Sequence, residues 1–535
     1  MSRKIFIIGI GCVSLIVIGV VTALVLTGGV AFQLWQLEWK KQGETELRFK
    51  EVALPFSHQA DIEKSLPFMA AAAIDVDGDG VDELFLGGGR AQDDQIFQFD
   101  GGAFRPMDAS FSFPKNGADA THGAASIDVD GDGRTDLFVA RESGVWLYKN
   151  TVDGFSGARL DLSIDDKTTL ISMALGDVNK DGWVDFYISG YIKQAEVKGQ
   201  TIFTGDYGGY SYLFINNGDN SWRDASREAG VWRQHNTFTA MFADIDNDHD
   251  SDLIIAQDTG VVEIYENPGA FPFTRIDNPS VSSYPMGVAA GDYNNDGLID
   301  FYFSNAGHTM PEKMLRGDLP DDALFNPNYM LFRNEGGKRF ADVSKQTHTA
   351  RIGFGWGVVF ADMNLDGRED LLAAQNYVRF PVKQFFHKYP GKVMLQYPDG
   401  TFKPVEKRAG AVNRNYAIAP IVSDFNNDGK PDLVWANING PAKAFLSAGE
   451  TGAWIKLRLP DEARSLNAII TATTPDGVTR TRQATASEGL GSDQTAEIIF
   501  GLGDQTAADI EITFQDGGVW ARPGVSAGER ISVRR

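Results

Sequence analysis

The sequence has a single cysteine, Cys12, and only seven histidines among 535 residues. One thiol excludes an intrachain disulfide framework and a zinc cluster built from cysteines, so cysteine content leaves the redox compartment open. The histidines form no HExxH pair. Ser487 lies beside Glu488 but outside a nucleophile-elbow motif, and the Gly-Leu-Gly at 501–503 lacks the strand–glycine–helix context of a nucleotide loop. The common catalytic motifs are therefore absent.

Positive charge is scarce as well. The 49 Lys and Arg residues face 72 Asp and Glu residues, which gives a formal net charge of -23. This balance argues against nucleic acid or an anionic membrane surface as the partner of the folded part, and it favours cations. A hydrophobic content of 43% and an aromatic content of 11% are typical of a chain with a large packed core.

The longest uncharged stretch is at the N-terminus. Residues 5–37 carry no charge, and Ile5 to Leu26 is almost wholly apolar. A membrane-spanning helix needs about 20 apolar residues, whereas the apolar region of a signal peptide has about 7 to 15. The pattern predicts a single-pass transmembrane anchor at 1–37, a linker at 38–47, and the rest of the chain in the periplasm or at the cell exterior. In the alternative, residues 1–31 are a cleaved signal peptide and the protein is secreted.

The rest of the sequence is a repeat. A stretch of the form DxDxDGxxD occurs seven times, starting at intervals of 48 to 70 residues. Short apolar segments flank each copy, which predicts four-stranded units of the size of propeller blades. We expect an all-β fold, with a seven-bladed β-propeller at 48–450 whose last blade is completed by the N-terminal strand at 48–53. Alternating patterns at 451–535 predict a small β-sandwich. Three blades of the propeller carry long insertions between their second and third strands, at 190–210, 304–327 and 375–391, which should lie on the face opposite the aspartate motifs.

The aspartate motif has the chemistry of a calcium loop. Oxygens at positions 1, 3, 5 and 9 and the backbone carbonyl of position 7 can converge on one ion, and glycine at position 6 permits the turn. A strand follows each motif and position 12 is no bidentate glutamate, so these are not EF-hands. The alternative, a solvated turn rich in Asp, Asn and Gly, is weakened by seven copies at fixed spacing. We expect up to seven structural Ca²⁺ ions. The predicted ligands are Asp75, Asp77, Asp79, Val81 and Glu83; Asp128, Asp130, Asp132, Arg134 and Asp136; Asp177, Asn179, Asp181, Trp183 and Asp185; Asp244, Asp246, Asp248, Asp250 and Asp252; Asp292, Asn294, Asp296, Leu298 and Asp300; Asp362, Asn364, Asp366, Arg368 and Asp370; and Asp424, Asn426, Asp428, Lys430 and Asp432.

These repeats resemble the FG-GAP/VCBS repeats of integrin α-subunit propellers. The whole chain after residue 45 is similar to the cartilage acidic protein family, in which such a propeller precedes an ASPIC/UnbV domain. The segments that carry the resemblance are 355–376, 423–449, 454–459 with Asn467, and 498–518. The resemblance implies calcium in the loops and a ligand bound at the face away from them. No blade has a clean FG…GAP signature, so an adhesive function does not follow from the resemblance.

Candidate ligand-binding residues lie just before the first strand of several repeats. Each of these has a plainer interpretation as a residue that packs or solvates a loop, but as a group aromatic rings and arginines can bind a glycan or a protein. We predict a calcium-binding propeller that recognises or adheres to a protein or glycan. A carbohydrate-active lyase or dehydratase on the same face is the alternative, and a purely structural envelope protein is the third possibility. The candidates are His122, His235, Tyr284, Trp356, Arg414 and Tyr416, with His308, Tyr377, Arg379 and His387 in the insertions.

Overall fold

A computed structural model describes residues 42–534 except 116, 200, 220, 310–311, 377–388 and 461. The predicted anchor at 1–37 and the candidates Tyr377, Arg379 and His387 lie outside the described residues. The chain is all-β, with two one-turn α-helices in the described part, α1 (Glu312–Leu315) and α2 (Glu406–Ala409).

The aspartate repeats fold into antiparallel four-stranded sheets, each built from strands that are consecutive in the chain. Two strands from elsewhere in the chain also join these sheets: β1 (Leu47–Val52) completes the last sheet, and a two-residue strand at Ser492–Asp493 adds a fifth strand to the first. The first sheet holds β2 (Ala71–Ile74), β3 (Glu83–Leu86), β4 (Gln95–Asp100) and β5 (Ala103–Pro106). The second holds β6 (Thr121–Ile127), β7 (Asp136–Arg141), β8 (Gly144–Thr151) and β9 (Gly154–Arg159). The third holds β10 (Thr168–Gly176), β11 (Asp185–Ile192), β12 (Tyr212–Asn216) and β13 (Trp222–Asp224).

The remaining repeats follow the same plan. The fourth sheet holds β14 (Thr237–Ala243), β15 (Asp252–Gln257), β16 (Glu263–Glu266) and β17 (Thr274–Ile276). The fifth holds β18 (Val288–Gly291), β19 (Asp300–Phe303), β20 (Met330–Asn334) and β21 (Phe340–Asp342). The sixth holds β22 (Gly355–Ala361), β23 (Asp370–Gln375), β24 (Lys392–Gln396) and β25 (Phe402–Pro404). The seventh holds β26 (Tyr416–Ser423), β27 (Asp432–Ile438) and β28 (Lys443–Gly449), and β1 pairs with β28 as its fourth strand.

The first strands of the sheets pack against one another. Each first strand contacts the first strand of the next sheet, and β26 contacts β2, so these contacts run through all the first strands and return to the start. All nine residues of β10 are buried. Small residues are needed there because a Cβ at Gly123 would lie 2.3 Å from the carbonyl oxygen of Ile171 in the neighbouring strand. The sequence therefore predicts these strands through runs of Ala, Gly and Ser.

Consecutive sheets pack face to face through aromatic and aliphatic side chains. Phe138 of the second sheet and Phe186 of the third have ring centroids 5.8 Å apart. The same kind of contact joins the last repeat to the first, where Phe104 and Phe425 are 5.3 Å apart. Repeated four-stranded sheets that pack in this way are the structure expected of propeller blades.

The C-terminal residues form two further sheets around a core of their own. This core includes Ile455, Leu457, Ile470, Phe500 and Ile512. One sheet has the strand order β33-β29-β36 and the other the order β31-β30-β34-β35, whereas β32 pairs in parallel with β2 of the first repeat. The strands are β29 (Ala453–Arg458), β30 (Ile469–Thr473), β31 (Thr479–Gln483), β32 (Ser492–Asp493), β33 (Glu497–Gly503), β34 (Ala507–Thr513), β35 (Val519–Ser526) and β36 (Arg530–Ser532).

The predicted location of the protein requires a correction. Within the part of the chain that the structure describes, no helix is long and apolar enough to cross a membrane. This finding does not support the single-pass, membrane-anchored location that was predicted from residues 1–37. Part of the predicted linker is packed, since the Gln42 side chain donates to Glu406 Oε1 at 3.2 Å.

Candidate metal loops and the surface opposite them

The seven aspartate motifs form the turns between the first and second strands of the seven sheets. The second loop shows how position 1 organises the turn. Asp128 Oδ1 accepts a hydrogen bond from the Gly131 amide at 2.8 Å, and Asp128 Oδ2 accepts one from the Gly133 amide at 2.7 Å. Gly133, at position 6, has a φ of +85°, a backbone conformation that favours glycine. The carboxylate thus fixes the loop through its own backbone.

The carboxylate at position 9 joins three parts of a sheet. Asp136 Oδ2 accepts from the Val129 amide at 3.1 Å, and Asp136 Oδ1 accepts from the Asn150 amide at the end of the third strand at 2.7 Å. Position 9 was predicted as a metal ligand, and the structure gives it this further role as an acceptor for two backbone donors. The same pair of bonds recurs at Asp185, Asp252, Asp300 and Asp370.

A polar residue at the end of the third strand connects neighbouring loops. The Asn150 side chain donates to the carbonyl oxygen of Val76, at position 2 of the preceding loop, at 2.7 Å. The regular place of these polar residues at the end of the third strand is visible in the sequence, but it was not used to predict this connection. The equivalent bonds are Asn267 to Val178, Asn334 to Ile245 and Gln396 to Tyr293.

Burial of these carboxyl groups raises their pKa. Desolvation is the largest cause throughout, and neighbouring carboxylates of the same loop add to it. It raises the pKa of Asp136 to about 7, of Asp185 to about 8, and of Glu83 and Asp300 to about 9. A bound cation would offset both effects by stabilising the ionised form.

Three loops bring together carboxylate oxygens that lie within 4.8 Å of one another and could hold a metal ion. They are the first, second and fourth loops, with the groups Asp75, Asp77 and Glu83; Asp128, Asp130 and Asp136; and Asp244, Asp246 and Asp248. In the fourth loop His249 replaces the turn glycine. It adopts a φ of +68°, and its amide donates to Asp244 Oδ2 at 2.8 Å, so the loop keeps the shape of its relatives.

Basic side chains of the C-terminal part contact two of the loops. Lys456 contacts Asp424 at position 1 of the seventh loop, and its Nζ lies 2.6 Å from Glu497 Oε2. Arg458 contacts Asp75 at position 1 of the first loop, and its Nη2 lies 2.9 Å from Asp82 Oδ1. The two-sheet C-terminal part therefore covers the aspartate-loop end of the repeats, a placement that the sequence did not predict.

The candidate ligand residues lie at the other end of the first strands, and several are buried. His122 has its Nδ1 3.0 Å from the Leu170 carbonyl oxygen and its Nε2 3.3 Å from Ser65 Oγ. Trp356 donates to the Asn376 carbonyl oxygen at 2.7 Å. These two rings meet around Phe68 rather than facing solvent, since both have centroids within about 6 Å of the Phe68 ring.

The other candidates are spread over the same end. The two ring nitrogens of His235 each lie 2.9 Å from a backbone carbonyl oxygen. Tyr284 is buried and donates to the Leu315 carbonyl oxygen. Arg414 and Tyr416 are half-buried, and the backbone of His308 lies in a short 3-10 turn at 307–309.

Two of the predicted insertions join to form a platform at this end. Asp318 Oδ1 accepts from the Phe203 amide at 2.6 Å, and Asp318 Oδ2 accepts from Thr204 Oγ1 at 2.7 Å. The Phe203 ring lies 5.2 Å from that of Tyr284, which attaches the platform to the fifth repeat. We call the described residues within 193–209 and 304–328, which exclude 200 and 310–311, the insertion platform. Among its described residues the most exposed large apolar side chains are Met314 at 65% and Leu324 at 74%.

Comparison with family models finds two matches. An FG-GAP-like repeat matches residues 75–139, 128–188 and 244–303, and an ASPIC and UnbV model matches residues 460–535. The first match covers five of the seven aspartate loops, and the second covers most of the two-sheet C-terminal part.

Among curated proteins, the chain is similar to cartilage acidic protein 1. It is 22% identical to the Xenopus tropicalis protein over 448 residues, which are 77% of this chain and 63% of the relative. The identity to the Homo sapiens protein is also 22%, over 77% of this chain and 62% of the relative. The chain thus spans less than two thirds of the length of these relatives.

Solved structures also align with the chain. One is a lectin of Agrocybe aegerita described as recognising non-reducing terminal N-acetylglucosamine, with 17% identity, 71% of this chain and 90% of that chain covered, and a TM-score of 0.36. Another is the extracellular domain of BT4673 from B. thetaiotaomicron, which is 12% identical to this chain. The alignment covers 89% of this chain and 52% of that chain, with a TM-score of 0.42. The resemblance predicted from the sequence is confirmed by the family models and the curated relatives: the chain combines matches to FG-GAP-like repeats with a match to the ASPIC and UnbV model, and it is similar to cartilage acidic protein 1.

Proposed function

We propose that the chain is a calcium-stabilised seven-bladed β-propeller that recognises a protein ligand through its insertion platform. Support for the propeller comes from the first strands, whose contacts pass from sheet to sheet and return from β26 to β2. The pairing of β1 with β28 removes the open edge that the seventh sheet would otherwise present.

Calcium in the loops would have a structural role. In the second loop Asp128, Asp130, Asp132 and Asp136 would hold the ion, together with the carbonyl oxygen of Arg134. Oxygen donors of this kind suit a hard divalent cation. The ion would offset the repulsion among desolvated carboxylates, and its binding free energy would add to the stability of the fold.

The proposal for recognition rests on a difference between the two ends of the blades: one is covered by the C-terminal part, and the other exposes apolar side chains. The C-terminal part covers the aspartate-loop end, through contacts such as the one between Arg458 and Asp82. At the opposite end the insertion platform leaves Met314 and Leu324 exposed. Large apolar side chains on ordered surface loops are a common feature of protein-binding sites, where their burial contributes about 25 cal/mol per Å². This chemistry favours a protein over a glycan as the ligand.

The test compares a surface variant inside the insertion platform with one outside it. The double variant Met314→Ser/Leu324→Ser changes the platform, and the control Val519→Ser changes an exposed valine of the C-terminal part. Proteins captured by the immobilised wild type in calcium are quantified by mass spectrometry, and binding of each captured protein is then measured with purified components. We expect the double variant to weaken that binding at least tenfold and Val519→Ser to leave it unchanged. Unchanged binding to the double variant would refute the proposed surface.

A further inference from the structure

A cavity of about 200 Å³ lies between the C-terminal part and the aspartate-loop end of the repeats. Its walls include the ends of first strands, at residues 73–75, 290–291 and 359–362, and the C-terminal segments 458–460 and 482–486. This volume is below the usual range for drug-sized ligands, so it suits a molecule of a few non-hydrogen atoms. The insertion platform is at the opposite end of the blades and takes no part in it.

One wall is held firmly in place. The segment 485–495 enters the space between the first strands, where Leu490 is buried in the core. Gly489 and Val288 exchange two backbone hydrogen bonds of 2.9 and 3.2 Å. Asp493 Oδ2 accepts from the amide of Ser126 at 2.7 Å and from its hydroxyl at 2.8 Å. The cavity is therefore a fixed feature of the interface between the C-terminal part and the repeats.

The walls carry an excess of negative charge, with seven carboxylates against two arginines. Both arginines already contact acids: Arg458 contacts Asp75 and Asp82, and Arg482 contacts Glu369. These neighbours make the cavity unfavourable for an anion, because a ligand carboxylate or phosphate would face acids that already share the arginines.

Glu488 is the cavity carboxylate that a cation would meet. Its Oε1 accepts from Thr485 Oγ1 at 2.9 Å, and the backbone amide of Ala290 also donates to the carboxylate. Within the described residues, no lysine or arginine forms an ion pair with it. Burial raises the pKa of Glu488 to about 7, and the attraction of Arg482 reduces that shift only in part. These two donors satisfy only part of a buried carboxylate, and a cation in the cavity would stabilise its ionised form further.

A second wall group also lacks a partner. Ser465 is 6% exposed, lines the cavity, and its Oγ has no hydrogen-bond partner in the part of the chain that the structure describes. The Arg458 Nε, on the same wall, is likewise without an acceptor there. Buried hydroxyl groups without partners are uncommon in native proteins, and a bound molecule with its own polar groups would supply one.

We propose that this cavity binds a small organic ammonium ion, with Glu488 as its counter-ion and Ser465 as a hydrogen-bonding partner for a polar group on the ligand. The inference goes beyond the proposed recognition function, because it concerns another end of the molecule and a ligand of another class. Its failure would leave the insertion platform untouched.

The experiment titrates the full chain with ethanolamine and with 1,4-diaminobutane by calorimetry, in saturating calcium so that the aspartate loops do not take up the amine. Ethylene glycol serves as the uncharged control, and potassium chloride supplies an inorganic cation. The variants are Glu488→Gln, which keeps the shape of the side chain, and Ser465→Ala. The matched control is Glu450→Gln, at an exposed glutamate outside the cavity.

We expect at least one amine to bind and to raise the melting temperature of the wild type and of Glu450→Gln. Glu488→Gln should weaken that binding at least tenfold, and Ser465→Ala by a smaller factor, while both variants keep the wild-type melting temperature without amine or lie close to it. Absence of amine binding to the wild type would overturn the proposal. So would equal binding to Glu488→Gln, or an equal response to ethylene glycol or to potassium chloride.

Discussion

The second and seventh aspartate loops have the same backbone but different surroundings. In both, the position-1 carboxylate accepts from the amide at position 6, from Gly133 at 2.7 Å in the second loop and from Gly429 at 2.7 Å in the seventh. In the seventh loop, Lys456 of the C-terminal part contacts Asp424, with side-chain exposures of 1% and 0%. In the second loop the cation is Lys149, on Asp130, and both side chains are 32% exposed.

The comparison indicates that the negative charge of one loop motif can be neutralised in two ways. The seventh loop receives a buried ammonium group from its own chain, and Arg530 Nη2 adds a second cation 3.4 Å from Asp424 Oδ2. The second loop has three carboxylates placed to hold a metal ion, and its own lysine is a weak, solvent-screened partner. We therefore expect metal to matter more in the second loop and the C-terminal part to matter more in the seventh.

The largest expected effect comes from removing the two lysines in turn. Lys456→Met leaves Asp424 and Glu497 without their buried cation, which should lower the free energy of unfolding by about 3–5 kcal/mol. Lys149→Met removes a solvent-exposed partner and should cost less than about 1 kcal/mol. Urea denaturation followed by tryptophan fluorescence in saturating calcium measures both. Equal losses in the two variants would remove the distinction between the loops.

Local patterns in the sequence predicted much of the fold. The seven DxDxDGxxD stretches predicted the repeated sheets, and the strand at 48–53 was correctly expected to pair with the last repeat. These features depend on residues within one sheet or on strand patterns, which is why spacing and hydrophobicity were sufficient.

Such local patterns could not predict contacts between distant parts of the chain. Arg458 and Asp75 are separated by 383 residues, and nothing near either one predicts that they meet. For the same reason the sequence did not reveal that His122 and Trp356 are buried around Phe68. Residues before a first strand can face solvent or the space between the first strands, and only the packing of all the sheets decides between the two.

A second, smaller effect should appear as pH changes in the absence of calcium. Asp136 of the second loop has a folded-state pKa of about 7, well above that of an unfolded aspartate. The folded state therefore binds the extra proton at low pH, and stability is lost as pH rises through about 7. With calcium, the ion favours the charged form and the loss should largely disappear.

The measurement is the melting temperature between pH 5 and pH 8, with calcium or with EDTA, at high salt to screen the net negative charge. We expect it to fall by several degrees across this range in EDTA and to change little in calcium. Lys456→Met should retain a downward slope even in calcium, because Asp432 of the seventh loop also has a raised pKa and the substitution removes the nearby buried cation. A melting temperature that rises with pH in EDTA would contradict this account.

The smallest expected effect separates the loops by their use of metal. Asp132 and Asp428 both occupy position 5, are both exposed, and each accepts from the amide two residues later at 3.0 Å. Asparagine keeps that acceptor and removes one charge, so Asp132→Asn and Asp428→Asn are a matched pair. If calcium occupies the second loop, a tenfold loss of affinity there lowers the calcium-dependent gain in stability by about 1.4 kcal/mol.

For the seventh loop the same substitution should change that gain by much less, because Lys456 and Arg530 already neutralise Asp424 without a metal. Melting curves at several free calcium concentrations give the gain for each variant, and the EDTA baseline of each serves as its own control. If Asp428→Asn loses as much of the calcium response as Asp132→Asn, the seventh loop binds metal beside the buried lysine, and its position-1 carboxylate serves an ion and the C-terminal part together.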